Sequence, residues 1–134
     1  MTLMLSLRPL IVPRLLLVAS CIAATASGPD ASVPPPREVA LVARGMAFFL
    51  AGASTPNPTI RVSPGERIRI VLRNDTPGMV HDFAVASLGA SISPLTTGRS
   101  AAVEITAPGR PGRHPYRCRP HSPMMQGAIE VVAN

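Results

Sequence analysis

The sequence contains no lysine and no tryptophan, one tyrosine and three phenylalanines. Base-stacking platforms need more aromatic rings than that, and the thirteen basic residues, all arginine, are spread along the chain rather than gathered in one block. Nucleic-acid binding is therefore set aside. Acidic residues are also scarce. Seven of them lie beyond residue 26, against eleven arginines over the same stretch, which leaves a net charge near +4. Such a surface is solvated, mildly basic and suited to an acidic protein partner. Two cysteines in 134 residues cannot build a disulfide framework. No window of a dozen residues repeats its apolar positions at helical spacing, which argues against helix-bundle architectures. No apolar run reaches the roughly 20 residues that a membrane-crossing helix needs.

What is present begins with a leader. Residues 1–26 read as an export signal, with Arg8 and Arg14 supplying charge and Leu15, Leu16, Leu17, Val18 and Ala19 a short apolar run. Two processing readings stay open. Val18, Ala19, Ser20 and Cys21 fit the small-residue-then-cysteine box of bacterial lipoproteins, which puts a lipid on Cys21 and anchors the protein to a membrane. Ala24, Thr25 and Ala26 fit ordinary cleavage before Ser27. Either way the expected location is exported, in the periplasm. Residues 27–37, with Pro34, Pro35 and Pro36, form a stiff tether, and 38–134 is the size of one two-sheet domain.

That domain reads as short strands separated by proline and glycine. The clearest covers 66–73, where Ile68, Ile70 and Leu72 alternate with Arg67 and Arg69. Further strands are expected at 39–43, 59–62, 81–86, 101–106, 113–118 and 128–132, with 87–100 a long connection holding at most a short helical turn. The spacing predicts an all-β antiparallel sandwich. Its core is supplied by Leu41, Phe48, Phe49, Ile60, Ile68, Ile70, Leu72, Phe83, Val85, Val103, Ile105, Tyr116, Ile129 and Val131.

With Cys21 removed or lipidated, Cys118 is the one cysteine left in an oxidising compartment, so it is either a free thiol or a metal ligand. Its surroundings favour the ligand. Within eight residues follow His121, Met124 and Met125. A thiolate, imidazoles and a weakly bound thioether select copper. A second histidine, His81, opens the strand that continues through Asp82, Phe83 and Val85. Period-2 parity puts His81 on the same face as Phe83 and Val85, Cys118 on that of Tyr116, and Met125 on that of Ile129 and Val131, with Met124 turned outward. His114 shares the parity of Cys118 but sits about 13 Å along the strand, which makes it structural.

These residues, Asn74 with six residues between it and the His81-Asp82 pair, the Tyr116-x-Cys118-x-x-His121 hook, and Met125-x-Gly127 leading into a last strand, resemble the plastocyanin/azurin family of cupredoxins from about residue 38 to the end. The resemblance implies a Greek-key sandwich holding one copper ion, with His81 and His121 as nitrogen ligands, Cys118 as the short thiolate ligand and a methionine as the weak axial one. An azurin-like spacing selects Met125 and an amicyanin-like spacing Met124; parity favours Met125. Asp82 and Asn74 become candidates for the surrounding shell, the Asp82 amide donating to the Cys118 sulfur and a side chain tying the two loops together. Pro120 has no N–H and so removes one donor to that sulfur. Pro77, Gly78, Met79, Pro120, Pro123 and Met124 would make an apolar patch around the His121 edge, with Arg117 and Arg119 steering an acidic partner.

The function implied is a periplasmic type-1 copper protein carrying single electrons between redox proteins, and not an enzyme. Copper enzymes that resemble this fold place histidines beside the cysteine to wire a second centre, whereas Arg117 and Arg119 occupy those positions here. A copper chaperone or buffer with the same ligands is the alternative, with Met124 and Met125 as its exchange residues. A zinc site on Cys118, His121 and His81 would leave the methionine without a purpose.

Overall fold

A computed structural model describes residues 33–133; the stretch expected to be an export signal, with Cys21, lies outside the described residues. The chain runs through β1 (Arg37–Arg44), β2 (Ala47–Leu50), β3 (Thr59–Val62), β4 (Arg67–Asn74), β5 (His81–Val85), a 3-10 turn at Ala86–Leu88, β6 (Ala90–Leu95), β7 (Ser100–Thr106), β8 (Gly112–Arg117) and β9 (Gln126–Val131). One sheet has the order β2-β1-β4-β7 and the other β3-β9-β8-β5-β6. The two make the sandwich that the sequence implies. Its sheets are mixed rather than antiparallel throughout, because β1 pairs with β4 and β3 with β9 in parallel.

Alternation explains how each sheet buries one face. Along β4, Ile68, Ile70, Leu72 and Asn74 are buried while Arg69 and Arg73 are exposed, and Val71 sits half-buried on the outer side. The inner faces share one core, in which the Phe83 ring stacks on Tyr116 at 5.1 Å and Phe48 meets both edge-on. Phe49, expected in that core, faces the other way. In β2 it follows Phe48, so it takes the outer face, half-buried beneath the Arg44 guanidinium 4.6 Å from its ring centre.

Two strands differ from expectation. The hairpin of β1 and β2 turns at Gly45, whose φ of +55° suits glycine, and makes 47–50 a short edge strand. The 87–100 stretch, expected as a connection, contains β6. Its Ala-Ser-Ile-Ser-Pro-Leu composition has little strand propensity, but it lies at a sheet edge where Pro94 is tolerated and pairs with β5 across an irregular register. Three of the four aromatic residues are thus central, and the metal-ligand candidates lie at one end of the sandwich, on β5 and the β8–β9 loop.

Candidate metal centre

His81 is the first residue of β5 and is fully buried, on the same side as Phe83 and Val85. Cys118 follows β8 directly and is buried in phase with Tyr116. Ala84 pairs with Arg117 across the two strands, which brings the β5 start beside the chain that leaves β8. That chain folds back on itself. The His121 N–H donates to the Cys118 carbonyl (3.2 Å), the Met125 N–H to the His121 carbonyl (3.3 Å), and the Cys118 N–H to the Met125 carbonyl (3.0 Å). The last bond continues the β8–β9 ladder of Arg117 with Gln126 and Tyr116 with Gly127, so Met125 stands opposite Cys118. Residues directly opposite in a ladder share a face. Met125 is accordingly 0% exposed and Met124 61%.

The donor atoms converge. Cys118 Sγ lies 3.7 Å from His81 Nδ1 and 3.5 Å from His121 Nδ1, and the ligand atoms of the three residues fall within 4.8 Å of one another. The imidazole centres are 4.8 Å apart, tilted at 56°. Among the described residues no other group of three such side chains comes together. Burial pushes the His81 imidazole toward its neutral form, helped by the charge of His121 and opposed by Asp82. Burial also pushes the Cys118 thiol up, opposed by the backbone N–H groups of Asp82 and His121. The His81 imidazole held toward its neutral form, the His121 imidazole beside it and a thiol held toward its protonated form make a pocket that a soft cation would complete, with release of the thiol proton. Nitrogen, nitrogen and sulfur with a buried thioether opposite fit copper.

The two residues expected around the ligands, Asp82 and Asn74, take separate parts. Asp82 does tie the two loops. Its buried carboxylate accepts from the Arg119 backbone N–H (2.7 Å) and the Arg119 Nε (2.6 Å), locking the β5 start to the Cys118 loop. Asn74 acts one layer further out, donating to the Met79 and Leu95 carbonyls (2.8 Å each) and accepting from the Thr76 N–H (2.9 Å). It closes the turn that delivers His81. His114 bonds to Ser87 Oγ at 3.0 Å and takes no part in the cluster. Pro77, Gly78, Met79, Pro120, Pro123 and Met124 are exposed on the two loops that carry His81 and His121, and His121 itself is half-buried.

Two contributors were not visible in the sequence. Thr76, buried in the Asn74 turn, places Oγ1 3.2 Å from His81 Nε2. Asn57 has φ +51°, accepts from the Phe48 N–H and donates from Nδ2 to the Met124 carbonyl (3.1 Å each). It thereby supports the ligand loop from 67 residues away. An asparagine between Pro56 and Pro58 is the one local signal, since asparagine tolerates the left-handed region.

A two-sheet sandwich with a His-Cys-His cluster and a buried methionine at one end is the cupredoxin fold. No family model matches the chain, and no curated protein does. Solved structures do. A dithionite-reduced auracyanin from Roseiflexus castenholzii matches at 15% identity over 74% of this chain and 99% of its own, with a TM-score of 0.57. Auracyanin A, described as a "blue" copper protein from Chloroflexus aurantiacus, matches at 18% over 75% of this chain and 100% of its own, with a TM-score of 0.53. A Cu-containing nitrite reductase from Thermus scotoductus matches at 21% over 75% of this chain and a TM-score of 0.59; this chain spans 28% of that protein. At these identities the likeness is one of fold.

Proposed function

We propose that this chain is a mononuclear type-1 copper protein carrying single electrons between redox proteins, its copper held by His81, Cys118 and His121 with Met125 as the weak axial ligand. The observation that carries this is the convergence of the three donor atoms within 4.8 Å, with Met125 buried opposite Cys118. The likeness to auracyanins over nearly their whole length supports a stand-alone carrier. The nitrite reductase likeness covers one part of a larger enzyme, and arginines flank Cys118 where a second centre would need histidines.

Copper in such a site supplies a one-electron couple between Cu(I) and Cu(II). The protein's part is to keep the donors still. Asp82 pins the Cys118 loop to β5, Asn74 pins the turn before His81, and Asn57 pins the Met124 backbone. His81 is sealed from solvent while His121 is half-buried, so the electron's short route out runs through the His121 edge and the apolar rim around it. Six carboxylates among the described residues each pair with an arginine, leaving Arg44, Arg99, Arg110, Arg113 and Arg117 without a carboxylate. This surplus suits a redox partner with an acidic docking surface. The leader composition supports export to the periplasm, with Cys21 as a lipid attachment site under one of the two processing readings.

A copper chaperone or buffer is favoured by one observation, the exposed thioethers of Met124 (61%) and Met79 (38%) beside the site. The test is the visible and EPR spectrum of the protein loaded with Cu(II), beside Cys118→Ala, followed by repeated reduction and oxidation in the presence of a Cu(I) chelator. A carrier gives intense thiolate-to-copper absorption and narrow copper hyperfine splitting, both lost in Cys118→Ala, and keeps its metal through the cycles. Pale copper insensitive to the substitution sinks the type-1 reading. Prompt loss of Cu(I) to the chelator replaces the carrier with the buffer.

A further inference from the structure

The ligands of the proposed centre come from one sheet, yet one of them is fastened to the other. His81 belongs to β5, and its Nε2 lies 3.2 Å from Thr76 Oγ1. The same hydroxyl lies 3.2 Å from the carbonyl of Ala43, on β1 of the facing sheet. Thr76 and Ala43 are both buried, so water does not compete for these groups. A hydroxyl has one hydrogen to give and lone pairs to receive with. The hydrogen goes to Ala43, whose oxygen also takes the Asp75 N–H at 2.9 Å and so has both lone pairs filled. What the hydroxyl then offers the ring is a lone pair, and the ring must meet it with Nε2–H.

We infer that Thr76 is a positioning residue for the metal centre: its hydroxyl, anchored to Ala43, holds His81 as the Nε2–H tautomer and so bares Nδ1 toward Cys118 Sγ and His121 Nδ1. The opposite arrangement, with the hydroxyl hydrogen turned to Nε2, puts the imidazole proton on Nδ1 inside the cluster, where an incoming cation would have to displace it. It also strips one donor from the buried Ala43 oxygen. The relay is itself held in place. The Thr76 N–H is taken by Asn74 Oδ1 at 2.9 Å, and Asn74 is fixed by two backbone carbonyls. Hydrogen bonds to the remote nitrogen of a ligating imidazole orient the ring and fix its tautomer, and their loss typically lowers metal affinity about 10–100-fold. A threonine in this position makes ligand orientation depend on the spacing between the two sheets, through β1.

The inference rests on the proposed role of His81 Nδ1 as a ligand, and its test separates the two. In metal-free wild-type protein, the nitrogen-15 shifts of His81 report the tautomer directly, without copper. The expected result is a single Nε2–H form. A predominant Nδ1–H form overturns the inference whatever the copper does. Thr76→Val keeps the shape and removes the hydroxyl, whereas Thr76→Ser keeps the hydroxyl. Thr76→Val is expected to mix the tautomers, lower Cu(II) affinity about 10-fold or more and change the hyperfine splitting, with Thr76→Ser restoring all three. A folded Thr76→Val with wild-type tautomer, affinity and spectrum refutes the role. If Thr76→Val does not fold, the wild-type tautomer and the Thr76→Ser values decide. Wild-type protein that shows the Nε2–H form but no thiolate-to-copper absorption leaves the relay standing and defeats the copper reading instead.

Discussion

Gly127 offers a perturbation whose size can be worked from geometry alone. Its backbone lies in the ordinary strand region, so alanine there is not strained by conformation. What decides is space. A Cβ built on Gly127 collides with the Tyr116 ring and hydroxyl and comes within 2.7 Å of the Pro58 carbonyl oxygen. Neither neighbour is free to retreat. Tyr116 stacks on Phe83 at 5.1 Å and donates its hydroxyl to Pro58 at 2.6 Å, and Pro58 is backbone. Overpacking of this kind costs about 1–3 kcal/mol, and a clash against fixed groups belongs at the upper end. For a domain of this size, about 3 kcal/mol lowers Tm by roughly 12–24 °C. Tyr116→Phe alone leaves the Pro58 carbonyl buried without its donor, at about 1–3 kcal/mol. The double variant should cost less than the sum, because removing the hydroxyl relieves part of the collision; a coupling of about 1 kcal/mol is expected. Denaturant midpoints of the metal-free protein at constant m-value measure all four corners of the cycle. A Gly127→Ala change within about 0.5 kcal/mol of wild type, or strict additivity with Tyr116→Phe, would refute the packing argument.

The two methionines should separate cleanly. Met125→Ala empties a fully buried volume and should cost about 2–5 kcal/mol in metal-free protein, whereas exposed Met124→Ala should stay within about 0.5 kcal/mol, both read by denaturant midpoint. With copper bound, the spectrum should shift for Met125→Ala alone. Asn57→Ala loses two hydrogen bonds and forces alanine to φ near +51°, so Asn57→Gly, which loses the bonds without the strain, should be the milder variant by about 1 kcal/mol. Equal costs would show that the backbone conformation does not matter there. The Arg37 guanidinium holds the Glu66 carboxyl below its usual range, against the effect of burial and with help from the Ser63 N–H. The unfolded chain therefore takes up this proton at higher pH than the folded one, so the stabilisation is complete above the ordinary glutamate range and is lost as pH falls through the lowered folded value. Midpoints of wild type and Glu66→Gln should differ at neutral pH and converge in acid; a gap independent of pH would rule the linkage out.

Much of the centre could be read from sequence because it is local. Cys118, His121 and Met125 sit within eight residues, and parity alone turned Met125 inward and Met124 outward, as the ladder opposite Cys118 requires. The alternation of β4 was equally plain, because its outer positions include arginines. What escaped was non-local. β2 and β6 are edge strands with one neighbour each, and the Ala-Ser-Ile-Ser-Pro-Leu of β6 takes its conformation from β5 rather than from its own residues. Parallel pairing of β1 with β4 leaves no trace in either strand's pattern. Thr76 and Asn57 stand in turn-forming local sequence, and Ala43 and Met124, to whose carbonyls they donate, lie 33 and 67 residues away.

The parallel pairing of β3 with β9 has a consequence for how the protein is made. Within its sheet β3 has β9 as its only neighbour, and the register joins Thr59 to Ala128 and Val62 to Val131. No β3 pairing can form until the C-terminal strand is available, and closing so long a stretch of chain is entropically expensive before the contacts reward it. A topology of this contact order folds on the order of milliseconds to seconds rather than microseconds. The same strand, β9, forms the rungs that hold Met125 opposite Cys118. The pairing of β5 with β8 can bring His81 beside Cys118 without this strand, but the full set of four candidate ligands is assembled only once β9 has paired with β8 and set Met125 opposite Cys118.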